Sequence, residues 1–226
     1  MSIVDWAALV LLWSVTLLRL SSARRSHRHR PLWGAFFWLA ISRVFSAEPV
    51  VAWLDATTRM EWATLCRHLS GLTAATCLLA YVEVIGRGSR ISRTYWAWPP
   101  AVIVMTALTV MFAVRGGRIY WVDGAYAPGL TSTAGRVYLT VFDLWLMYCL
   151  GVAAWMSAGY VRLAAPLLRL GLVLSTIGML AGVLNRGHVM VVNLINLLWA
   201  HARAQEWALF HRATFLLCVV GMTAGT

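Results

Sequence analysis

The chain has 226 residues, 61% hydrophobic and 12% charged, with 19 Arg, no Lys and a net charge of +11. A soluble domain carries about 25% charged residues, and a nucleic-acid binder gathers its cations on one soluble face. Here the arginines are dealt out between apolar stretches, which argues against nucleic acid as a partner and for the lipid bilayer.

The first apolar stretch covers 3–18, with Asp5 near its start and Arg19, Arg24, Arg25, Arg28 and Arg30 after it. A secretory signal peptide has the opposite order, positive charge first. The stretch therefore reads as an uncleaved helix with its N-terminus outside. A second span is expected over 32–54 and a third over 62–85, joined by a loop with Asp55 and Arg59. A basic loop, 86–93, leads to a fourth span over 95–114. Pro99 and Pro100 fall in its first turns, where a missing N–H costs least.

Residues 115–133 form the longest aqueous stretch, punctuated by Gly116-Gly117, Asp123-Gly124 and Pro128-Gly129. Its aromatics Tyr120, Trp121 and Tyr126 suit either recognition or a lid packed on the helix ends. The fifth span is 134–157 and the sixth 167–185, introduced by Pro166. Residues 189–199 are apolar but short for a crossing, and Arg186, His188, His201, Arg203 and Glu206 flank them. An interfacial or re-entrant helix fits that length, and 206–226 then makes the seventh crossing. An eight-span version would let 189–199 cross as well.

Seven spans of roughly 20 residues each leave no room for a soluble domain, so 1–226 is expected to be one transmembrane bundle, all α. Ten arginines fall in the proposed inner loops and five in the outer ones. The positive-inside rule then favours N-terminus out and C-terminus in. Trp33, Trp53, Trp62, Trp96, Trp98 and Trp121 lie near span ends, where the bilayer interface favours indole rings. Cys66, Cys77, Cys149 and Cys218 lie inside apolar segments with no CxxC or metal spacing, as packing thiols do.

An ionisable group inside a span is costly unless paired or wetted. The candidates are Arg43, Glu48, Arg67, His68, Asp143, His211 and Arg212, with Glu83 and Arg136 nearer the edges. Matching depths at a rise of about 1.5 Å per residue suggests two pairs, Glu48–Arg67 and Asp143–Arg43, with Arg212 competing for either acid. Three uses are open: pairs that hold helices in register, a polar cavity at Arg43, Arg67 and Asp143 open to the outer face, or a proton or ion relay. His68 and His211 lie at similar depth, as a bis-His haem would require. Packing histidines explain the same pattern, and no cofactor is expected.

Gly178 and Gly182, extended by Gly171 and Ser175, place small residues on one helix face, which lets another backbone approach. The neighbour is a helix of the same chain or, alternatively, a second copy or another protein. No nucleotide loop, kinase motif, nucleophile elbow or HExxH is present, so the residues do not point to an enzyme.

The basic loop Arg24–Arg30, the run Ala47-Glu48-Pro49-Val50 before Leu54-Asp55, Arg67-His68-Leu69, and Ala165-Pro166-Leu167-Leu168-Arg169-Leu170-Gly171-Leu172 together resemble a family. It is a group of actinobacterial seven-helix integral membrane proteins without an assigned function, often labelled transporters. The resemblance implies a plasma-membrane bundle with its N-terminus outside. Members often carry a cytoplasmic extension after the last helix, whereas this sequence ends at Thr226. The expected role is ligand or partner binding and sensing, with no catalytic output and an unidentified ligand. The alternative is a small-solute or ion transporter or channel with a polar path past Arg43 and Asp143.

Overall fold

The computed structural model describes residues 3–87, 97–117, 121–122, 125–126, 133–162, 164–198, 214, 216–221 and 223. Helices dominate: α1 (Ile3–Arg25), α2 (Arg30–Val44), α3 (Glu48–Thr58), α4 (Trp62–Arg87), α5 (Trp98–Val114), α6 (Thr133–Val161) and α7 (Pro166–Leu198). A short 3-10 turn, His27–His29, joins α1 to α2. Two antiparallel two-residue strands, β1 (Trp121–Val122) and β2 (Ala125–Tyr126), flank Asp123-Gly124. Helical backbone returns at 216–221.

Among the described residues, four helices are long and apolar enough to cross a membrane, five if a bent pair counts as one span; α5 is a shorter apolar helix of 17 residues. Side chains that face outward agree with a lipid setting. Leu18, Trp155 and Leu167 are 77%, 82% and 88% exposed, which costs free energy in water and none in acyl chains.

Two expectations need correction. The span expected over 32–54 is two helices, α2 and α3, bent by 68° at a break. Pro49 lies in the first turn of α3, and Ala47 before it is extended, with φ −73° and ψ 127°. Proline has no N–H to continue the helical ladder and its ring clashes with the carbonyl four residues back in a continuous helix, so the chain restarts instead of running through. Secondly, the short separate helix near 189–199 does not form: α7 runs unbroken for 33 residues to Leu198. At about 1.5 Å per residue it is roughly 50 Å long, well beyond the hydrocarbon thickness. The Asn185-Arg186-Gly187-His188 stretch contains no proline, and Asn185 and Arg186 find partners in Thr214 and Asp143.

Paired residues give the relative directions of the helices. Gly34 faces Cys77 and Ser42 faces Arg67, so α2 and α4 are antiparallel. His68 meets Tyr138 and Thr76 meets Trp145, so α4 and α6 run parallel. Leu150 meets Gly182 and Asp143 meets Arg186, which sets α7 antiparallel to α6. The small face of α7 receives the C-terminal residues in a regular antiparallel register: Asn185 with Thr214, Gly182 with Cys218, and Gly178 with Gly221. Gly171, further along, is half-buried. The Gly178/Gly182 face thus packs against residues of its own chain.

Three clusters of buried side chains follow from this order. One joins α4, α5 and α6 around Leu72, Leu108 and Phe142; a second joins α1 and α2 around Leu12 and Phe36 with Val219. The third joins α4, α6 and α7 around Val82, Ala153 and Met179. At the end of α5, Gly116 and Gly117 have φ of +62° and +75°. Their N–H groups donate to Ala113 and Phe112 carbonyls at 2.9 and 3.0 Å, a left-handed helix stop that glycine adopts without steric cost. The Gly117 carbonyl then accepts from Glu61 N at 2.8 Å and fixes where α4 begins.

Candidate functional site

A cavity of about 580 Å³ opens among α2, α4, α6, α7 and residues 218–219, within the range of small-molecule sites. Its walls change character along the helices. Ser42 and Arg43 at the end of α2 and Ser46 just beyond it meet Arg67 and His68 near the start of α4, with Asp143 from α6 and Asn185 and Arg186 from α7. Further along, the lining turns to Leu32, Phe36, Leu78, Leu146, Leu150 and Met179, with Ser175 the polar residue there. From Arg67 to Leu78 the helical rise spans roughly 16 Å. The cavity therefore has a charged end and an apolar end.

His68 organises the charged end. It is 4% exposed; its Nδ1 lies 3.0 Å from the Tyr138 hydroxyl and its Nε2 3.5 Å from Arg67 Nη2. A guanidinium can only donate, so Nε2 accepts and the ring is a neutral imidazole with its proton on Nδ1, donating to Tyr138. Phe142 packs on the same ring, centroids 4.2 Å apart. Both ring nitrogens thus have protein partners, an arrangement of a packing histidine; His211, its proposed haem mate, lies outside the described residues. Among the described residues no group of three His, Cys, Asp or Glu is placed to hold a metal.

Asp143 is 2% exposed and accepts from Arg186 Nη1 at 3.5 Å. The Arg186 guanidinium also sits over the Phe142 ring, 5.7 Å from its centroid. Both pairs expected from depth are therefore replaced. Asp143 is matched to Arg186 rather than Arg43, and the Arg67 side chain bonds His68 rather than Glu48. Depth along the helices does not fix the pairs, because the order of helices around the bundle decides which residues touch.

Of the expected polar residues, Arg43, Arg67, His68 and Asp143 line this one cavity, as do Ser175 and Gly182 from the small-residue face. Glu48 does not line it; it occupies the first turn of α3, where the positive end of the helix dipole favours a carboxylate. Arg212 lies outside the described residues. Arg186 and Asn185 were missed because they read as the edge of a loop. The available signal was spacing: 175, 178, 182 and 186 continue one α-helical face.

Hydroxyls complete the wall. Ser42 donates to the Arg67 carbonyl at 2.9 Å, which ties α2 to α4 beside the charged end, and Ser46 donates to the Ser42 carbonyl at 3.0 Å. Comparison with protein-family models, with curated proteins and with solved structures finds no match to this chain.

Proposed function

We propose that this membrane-embedded helical bundle binds a small ligand in the cavity between α2, α4, α6 and α7, as a binding or sensing module of the plasma membrane. The observation that supports this reading is convergence. Four ionisable residues from three helices, Arg43, Arg67, His68 and Asp143, meet at one end of a cavity of ligand size, joined there by Arg186. A set of pairs serving only to hold helices in register needs no such space, because close packing would satisfy it better.

In this proposal the chain crosses seven times, with α1, the bent α2–α3 pair, α4, α5, α6, α7 and the C-terminal helical stretch as the spans. The N-terminus is outside, so the charged end of the cavity faces outward. The helix directions and the arginines around the α1–α2 turn support that orientation. Transport along the same polar residues is the alternative; it requires a second opening past the apolar end, and the run of Leu and Phe there favours binding.

Gly71 offers the test. A Cβ built on it would meet Ser42 Oγ at 3.7 Å and Phe142 at 3.9 Å, ordinary contacts, and Gly71 lines the cavity, so a larger side chain is expected to extend into that space. Gly71→Leu is expected to fold with an unfolding temperature close to wild type. Native mass spectrometry of protein taken from membranes should find a retained small molecule on wild type and none on the variant. Equal retention by both proteins would place any bound molecule elsewhere and end this reading.

A further inference from the structure

The charges at the polar end do not balance around Arg67. Among the described lining residues one carboxylate, Asp143, stands with three guanidinium groups, those of Arg43, Arg67 and Arg186. Asp143 lies against Arg186, and Arg43 has contacts of its own. The side chain of Arg67 is held by the Nε2 lone pair of His68 at 3.5 Å. That partner is uncharged, so it orients the guanidinium and cancels none of its charge. Arg186 reaches the same place from α7, because Phe142 carries Arg186 over its ring and packs against His68. Two guanidinium groups from different helices thus flank one buried ring pair at the mouth of an apolar chamber.

We infer that the charged end takes an oxyanion, a phosphate or carboxylate borne on an apolar chain, with Arg67 as its principal ligand and Arg186 as a second donor. This rests on the cavity-binding reading above and names the class of its ligand. An arginine fork matches two oxygens of a phosphate or carboxylate at once, and a site lined by helices and largely removed from water strengthens such a pair. Only one N–H of Arg67 is committed to His68, which leaves the rest of the fork for a ligand. Beyond the charged end, Phe36, Leu78, Leu146, Leu150 and Met179 line a chamber roughly 16 Å deep along α4, which suits an acyl chain. A free anion from the aqueous phase shares the head-group chemistry but leaves that chamber unused.

The test uses purified protein in a neutral detergent, with dioleoyl phosphatidic acid, dioleoyl phosphatidylcholine and inorganic phosphate as probes. Phosphatidic acid is expected to bind at least tenfold more tightly than phosphatidylcholine and to raise the unfolding temperature. Arg67→Gln and Gly71→Leu are each expected to abolish that preference. Inorganic phosphate binding as tightly as phosphatidic acid would uphold the oxyanion site and assign its ligand to the aqueous phase. Equal wild-type affinity for the two lipids overturns the inference, whether or not Arg67→Gln folds. A preference that survives in folded Arg67→Gln or Gly71→Leu belongs to the basic loops and overturns it too. If wild type binds both lipids equally and Gly71→Leu binds neither, the cavity reading stands and only its anion specificity falls.

Discussion

Arg186→Met is expected to destabilise the protein by about 3–5 kcal/mol, the cost of leaving one charge of a buried pair without its partner. Asp143 is 2% exposed and its ion pair is with Arg186, so the change would leave a buried carboxylate without that pair. The reverse change is expected to cost less. Arg186 has a side chain 29% exposed and lines the cavity, so in Asp143→Asn its charge can still reach polar surroundings. The double variant Asp143→Asn, Arg186→Met should recover most of the loss, giving a coupling of at least about 1 kcal/mol in a double-mutant cycle. Thermal unfolding in detergent reads all four proteins. Strict additivity would mean that the pair contributes nothing, and that Asp143 is neutralised by some other group.

The second large effect is expected at Gly221. A Cβ there would lie 2.7 Å from Gly178 Cα and 2.8 Å from the Leu174 carbonyl oxygen. Both obstacles are backbone, so no rotamer change relieves them and the C-terminal stretch must move away from α7. Gly221→Ala is expected to cost about 1–3 kcal/mol. It should also loosen the contacts above it, because Gly182 with Cys218 and Asn185 with Thr214 continue the same register. Protease sensitivity of the C-terminal region and unfolding temperature together check this. An unchanged unfolding temperature would show that the two backbones are further apart than described.

Much of the fold was legible because hydropathy reports directly on what lipid tolerates. Residues 62–85 were expected as a span and form the apolar part of α4 with those same limits. No proline, glycine pair or charge cluster interrupts that stretch. The bend between α2 and α3 escaped because both arms are apolar, and a hydropathy window averages across a kink. Pro49 was its signal. The continuation of α7 escaped for the opposite reason: polar residues at 185–188 read as a helix end, yet a polar group inside a bundle is stable wherever another helix supplies its partner.

The site was legible as a set and not as a geometry. Burial cost singles out Arg43, Glu48, Arg67, His68, Asp143, His211 and Arg212 from sequence alone; Arg43, Arg67, His68 and Asp143 line one cavity, Glu48 does not, and His211 and Arg212 lie outside the described residues. Their partners depend on which helices are neighbours, a property carried by side-chain packing across the bundle rather than by depth along it. The parallel placement of α4 and α6 brings Tyr138 and Phe142 to His68, and no spacing within either helix announces that. The small-residue face of α7 was expected to admit a close neighbour, and Cys218 and Gly221 of the C-terminal stretch lie against Gly182 and Gly178.

The most direct measurement is an experimental density map of the protein in lipid nanodiscs that contain an anionic phospholipid. The account predicts elongated density between α2, α4, α6 and α7, with its compact end against Arg67 and Arg186 and its tail toward Leu78 and Met179. A map in which Phe36, Leu146 and Met179 close on one another, leaving no space between those helices, would contradict it.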